Sequence, residues 1–127
     1  MRSITEVQLR ALIRADEWEP AVSHFGIAAS PWPDGLRERI AALPRPLPTR
    51  RITLASQYPL LAVQGWVSAT GVLEYVADPE EADSGPYGND LPLLVVTAGG
   101  LLLIDGTHRI AAAWVARRRV EVEVLDS

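Results

Sequence analysis

The residues best suited to chemistry stand together near the end of the chain, as Asp105-Gly106-Thr107-His108-Arg109. They follow an apolar run, Leu101 to Ile104, of strand character. They precede Ile110, Ala113, Trp114 and Arg117, which share one helical stripe. A strand that turns directly into a helix leaves the first backbone N–H groups of that helix unpaired, with the positive end of the helix dipole behind them. An anion fits there. Gly106 would let it approach the backbone, Thr107 offers a hydroxyl, His108 can donate or carry a proton near neutral pH, and Arg109 can fork onto a phosphate. Asp105 repels phosphate, so its roles are different: capping the helix, orienting His108 or Arg109, or holding Mg²⁺ beside the phosphates.

The same five residues also make an ordinary helix start. Asp-Gly turns are widespread, Asp105 could be a simple N-cap contributing about 1 kcal/mol, and His108 and Arg109 could be solvated first-turn side chains. Both readings stand on the residues alone. Elsewhere, Trp114 falls on the apolar stripe and reads as core. Arg117 to Arg119 read as a solvated helix end or as a contact for nucleic acid. His24 has no evident partner, and Trp18 and Trp32 either cover the core or face a partner.

The elements that must position the turn are clearest in the last third. Leu93 to Thr97 reads as a buried strand, Gly99-Gly100 as a hairpin turn needing positive φ, and Val120, Val122 and Val124 alternate with Glu121 and Glu123 as a closing strand. Upstream, Arg51 to Leu54 and Leu60 to Val63 have strand composition. Ser68 sits where an N-cap belongs, before a helix carrying Val72, Leu73, Tyr75 and Val76, with Gly71 as its weak point. Asp78 to Asp90, acidic and rich in Pro and Gly, is expected to be a mobile surface loop. A helix is expected over Ile4 to Ile13, started by Ser3 or Thr5 with Glu6, and a short one over Leu36 to Leu43. Pro44, Pro46 and Pro48 then read as a stiff connection. The expected organisation is a helical N-terminal extension and Pro-rich linker over 1–50 and a core domain over 51–127. The fold class is α/β (α+β), a small mixed sheet with flanking helices.

Composition narrows the function. The 127 residues hold no Cys, which removes disulfides, thiolate nucleophiles and Cys-ligated metals, and two His are too few for a His-based zinc site without carboxylate help. All twelve basic residues are Arg, which with ten Pro and many Ala is the usage expected of a GC-rich genome, and a bacterial source is expected. The net charge of −4 argues against broad adhesion to DNA. Between Ile52 and His108 there are seven acids and no Arg, so an anion would be met at Arg109, at Arg117 to Arg119, or by the N-terminal segment. No apolar run approaches the ~20 residues of a membrane helix, no signal-peptide core follows Arg2, and a cytoplasmic address is expected.

From Leu93 to Asp126 the chain reads L-L-V-V-T-A-G-G-L-L-L-I-D-G-T-H-R-I-A-A-A-W-V-A-R-R-R-V-E-V-E-V-L-D. This resembles the ParB/sulfiredoxin-like superfamily, the ParB-like nuclease domain, whose members show a hairpin, a D-G-x-H-R-type turn, an Ala-rich helix and a closing strand. Gln64 to Val76 is more loosely similar to the segment and helix before that core, so the resemblance covers about half the chain. It implies a turn that holds nucleotide phosphates, as for CTP in the partition proteins and ATP or ADP in sulfiredoxin and the free-serine kinases. By position the binding role falls on Gly106, Thr107, His108 and Arg109, with ATP or CTP as ligand, and Mg²⁺ on Asp105. Phosphotransfer or hydrolysis would then use Asp105 and His108, with Glu74 as a general base if its helix faces the turn as the family architecture has it.

The departures matter. Sulfiredoxin's G-C-H-R turn carries its reactive Cys where Thr107 stands, so sulfinic-acid reduction is excluded. Partition proteins carry G-E-R-R there and continue into further domains, whereas this sequence stops at Ser127, so a complete partition clamp is not expected. A nuclease would need a carboxylate cluster, and only Asp105 and unplaced loop acids are available. The leading expectation is a nucleotide-binding protein. Its rivals are a DNA-associated partition or nuclease-like accessory protein and a ligand-free interaction module. The oligomeric state stays open, a homodimer included.

Overall fold

The structure, a computed structural model, describes residues 4–16, 18–78 and 91–126. Helix α1 (Glu6–Arg14) leads through a single 3-10 turn (Val22–Phe25) to β1 (Ile27–Ala29) and the short α2 (Leu36–Ala41). Then follow β2 (Thr49–Leu54), β3 (Leu60–Ala62), α3 (Ala69–Ala77), β4 (Leu93–Thr97), β5 (Gly100–Asp105), α4 (Thr107–Val115) and β6 (Val120–Asp126). The fold is α+β: a six-stranded mixed sheet in the order β1-β3-β5-β4-β6-β2, with helices on both faces. Strands β1, β3 and β5 run parallel, β4 returns antiparallel to β5, β6 is parallel to β4, and β2 closes the far edge antiparallel to β6.

Register explains the two layers, because side chains alternate across a strand. One row runs across the whole sheet, Ala28, Leu61, Leu102, Val95, Leu125 and Thr49. Its central members pack with Leu36 under α2, flanked by Trp32, Ile40 and Leu43. The opposite face presents Ala62, Leu103, Leu94 and Val124, and forms the larger core with α1, α3 and α4. In α4 every residue from Arg109 to Val115 is buried; Ala111 to Ala113 keep that helix close to the sheet while Trp114 fills the core as its sequence position implies.

The expected strands over 93–97, 51–54 and 60–63 form, with ends shifted by a few residues. The hairpin turn is Ala98-Gly99, and Gly100, with φ of +127°, already opens β5. Thr5 starts α1 in a capping box completed by Gln8. The acidic stretch read as a mobile loop lies, beyond Asp78, outside the described residues.

Residues 1–50 differ from the expected extension. Leu9, Val22, Phe25 and Ile27 are buried in the main core, β1 is an edge strand of the sheet, and Leu36 packs on its other face. The boundary at residue 51 also falls inside β2. The physical reason is economy of area: six strands present two apolar faces, and the N-terminal half supplies part of the cover for each.

Candidate functional site

Because β3 and β5 are adjacent and parallel, the segments leaving their carboxyl ends leave side by side. One runs Gln64 to Ser68 into α3, and the other turns at Gly106 into α4. Ligand sites in sheets of this kind lie outside the carboxyl ends of parallel strands. Here two helix N-termini are brought together at that end, and α3 packs along α4.

The tie between them is a hydrogen bond. The backbone N–H of Ser68 donates to Nε2 of His108 at 2.9 Å. An acceptor nitrogen carries no proton, so His108 is neutral with its proton on Nδ1. Burial lowers its pKa from the ordinary 6.5, which keeps that form. Ser68 caps α3: its Oγ accepts the Gly71 N–H at 3.1 Å and lies 3.0 Å from Thr70 Oγ1. Gly71 has its own reason, since a Cβ there would stand 3.2 Å from Cδ2 of His108. The glycine that weakens the helix makes room for the imidazole.

At the turn itself the helix begins one residue later than Asp105. Asp105 pairs with Leu93 as the last residue of β5, exposed and extended, and the N-cap is Gly106, at φ of +90° and without a side-chain cap bond. The expected capping by Asp105 is therefore not made, because strand pairing holds its backbone out of the cap position. Gly106 also serves packing: a Cβ would come within 2.8 and 2.9 Å of Pro92 Cβ and Cα, and 3.1 Å from a guanidinium nitrogen of Arg109. Arg109 folds back beneath the turn and is only 5% exposed, and Thr107 is buried as well. The solvated first-turn arginine of the simpler reading is absent, since the apolar stripe and the folded-back side chain both place it inside.

Of the sequence-selected residues, Asp105, Gly106, Thr107, His108 and Arg109 form the turn, and His108 reaches across to Ser68. Glu74 lies on α3, exposed, one turn beyond Gly71. Thr70 was missed as a site residue, and Ser68 was read only as a cap. The signal available was the pair of hydroxyls in Ser68-Ala69-Thr70-Gly71 at a helix start. Among the described residues no group of three or more His, Asp or Glu gathers as a metal site. An apolar groove of about 220 Å³, between Ala28, Leu60, Leu61, Gly100 and Leu101, opens at the opposite ends of β3 and β5. No helix of the described residues is long and apolar enough to cross a membrane.

Compared with protein-family models, curated proteins and solved structures, the chain matches none of them.

Proposed function

We propose that the protein binds a nucleotide through its phosphates, at the carboxyl ends of β3 and β5 where α3 and α4 begin. The observation that carries this reading is the Ser68 to His108 bond. It holds two helix N-termini together, with hydroxyls at Ser68 and Thr70 and the charge of Arg109 beside them. Paired helix dipoles, hydroxyl donors and an arginine suit a polyanion. The Leu93 to Asp126 resemblance to ParB/sulfiredoxin-like proteins supports a nucleotide, ATP or CTP, as that polyanion.

Binding rather than turnover is the primary role. Nε2 of His108 is engaged, so the imidazole serves as a donor through Nδ1 and not as a base. Asp105 and Glu74, both exposed, are the carboxylates that phosphotransfer or hydrolysis would draw on, Asp105 for Mg²⁺ and Glu74 for a proton. A saturating nucleotide at 100 times its dissociation constant adds about 2.7 kcal/mol, which raises Tm by several degrees. A thermal-shift panel of ATP, CTP, GTP and their diphosphates, with and without Mg²⁺, tests the reading. An unmoved Tm throughout removes it.

One observation favours a second reading, an interaction module without a ligand. Thr107 and Arg109 are buried and His108 is bonded to Ser68, so the polar side chains of the turn already serve the fold. That reading gains if the panel is silent. Duplex binding is the weaker rival on charge, and submicromolar affinity for random DNA at about 150 mM salt, falling steeply as salt rises, would promote it.

A further inference from the structure

This inference rests on the phosphate reading and adds what would make the ligand a nucleotide rather than any polyphosphate. The segment entering α3 is one strand of a short antiparallel ribbon. Val22 N–H donates to the Gly65 carbonyl, Val67 N–H to Pro20, and Ala69 N–H to Trp18, with Ala21 opposite Trp66. Burial alternates along it: Val67 and Ala69 are fully buried, while Trp66 is 57% exposed and Ser68 half-buried. Trp66 and Ser68 therefore lie on one face of the ribbon, two residues or roughly 7 Å apart. Ser68 binds His108 through its backbone N–H, at the edge of the ribbon away from Trp18 and Pro20.

The exposure of Trp66 is not that of a loose loop. Gln64 Nε2 holds its carbonyl at 2.7 Å, and the ribbon bonds fix the backbone on both sides. The chain thus keeps a large rigid aromatic face in solvent on the segment that leads into α3; Trp18, on the facing strand, is also 51% exposed, whereas Trp114 is fully buried and Trp32 lies under the Arg37 guanidinium. Every nucleobase has a π-face that stacks on such a ring. We propose that Trp66 is the stacking surface for the base of a nucleotide whose phosphates lie at the Gly106 to Arg109 turn.

The test compares inorganic tripolyphosphate with ATP, CTP, GTP and UTP by calorimetry, on the wild type, Trp66→Ala and Trp66→Phe, with a melting curve for each protein. The expected result is that at least one nucleotide binds the wild type about tenfold or more tighter than tripolyphosphate. Trp66→Ala removes that advantage and leaves tripolyphosphate affinity unchanged, and Trp66→Phe keeps most of it. If nucleotides bind and Trp66→Ala loses nothing, the stacking assignment is overturned while the phosphate site stands. Equal binding of nucleotides and tripolyphosphate by the wild type overturns it in the same way. If neither nucleotides nor tripolyphosphate bind, the phosphate reading itself fails and takes this inference with it.

Discussion

Nε2 of His108 accepts the Ser68 backbone N–H at 2.9 Å, which makes a side chain of α4 the partner of the residue that caps α3. The bond exists only while His108 is neutral, and burial lowers its pKa below 6.5. In the unfolded chain the histidine takes up its proton near 6.5; in the folded protein it does so only at lower pH. The unfolded state therefore binds more protons in that window, and stability rises with pH across it. The contribution is fully present above about pH 6.5 and is lost as pH falls through the lowered folded value. Melting curves from pH 8 to 5 should show the wild type losing more stability on acidification than His108→Gln, which cannot titrate there. Parallel curves would refute the arrangement.

Gly106 should be the least replaceable glycine of the turn. Its φ of +90° strains any L side chain, and a Cβ would overlap Pro92, including its backbone Cα at 2.9 Å. Unlike the end of a flexible side chain, that atom cannot move aside cheaply. Gly106→Ala is expected to destabilise by about 2 kcal/mol or more in chemical denaturation. Gly100→Ala is the control: φ there is also positive, but nothing lies within 4 Å, so only the strain remains. A smaller loss at Gly106 than at Gly100 would contradict the packing.

What the sequence disclosed follows from the length of its periodic segments. The valines of β6 and the stripe Ile110, Ala113, Trp114 are long enough to show a period of two and of 3.6, and Leu93 to Thr97 stands out as a continuous apolar run before a Gly-Gly turn. Ser68 was legible as a cap because capping is local chemistry. Val22 to Ala29 was not legible. A four-residue 3-10 turn and a three-residue strand are too short to repeat anything, and Ala28 and Ala29 carry no strand preference. The burial of Arg109 was hidden for another reason: arginine is almost never fully buried, so its type argued for solvent, and only the tertiary turn at Gly106 places it inside. The imidazole behind Gly71 belongs to a residue 37 positions away, which no local pattern announces.

The N-terminal half should prove indispensable. A chain of 51–127 would lack Leu9, Val22, Phe25 and Ile27 from the main core, Leu36 from the other face, the edge strand β1 and the start of β2. Burying a large apolar side chain stabilises by about 1.5–3 kcal/mol, and five such losses are as large as the whole net stability of an ordinary domain of this size. The truncated chain is expected to show no cooperative thermal transition and poor amide dispersion in NMR. A cooperative transition close to that of the full chain would restore the division at residue 50.

Arg109 and Asp105 flank Gly106 but should respond differently to substitution. Asp105 is exposed at the end of β5 and caps nothing, so Asp105→Asn should change stability by no more than about 0.5 kcal/mol. If it carries Mg²⁺, that variant alone should lose the metal dependence of nucleotide binding. Arg109 is 5% exposed, with a guanidinium nitrogen 3.1 Å from the place a Gly106 Cβ would take. Its aliphatic stem packs inside the turn, and its removal deletes that contact together with the charge. Arg109→Ala is accordingly expected to lower stability by about 1–3 kcal/mol, the range of buried polar and packing losses, rather than leave the fold intact as a surface arginine would. Ligand loss in that variant would not by itself separate a phosphate contact from a collapsed turn. Arg109→Lys and Arg109→Met separate the two, since Met keeps much of the stem volume without charge while Lys keeps the charge without the fork. For a phosphate contact, calorimetry with the best nucleotide should give affinities falling from Arg to Lys to Met, by about tenfold or more in the last, among variants of matched Tm. If Met binds as well as Arg once stability is matched, Arg109 only packs the turn, and its place in the phosphate site is lost.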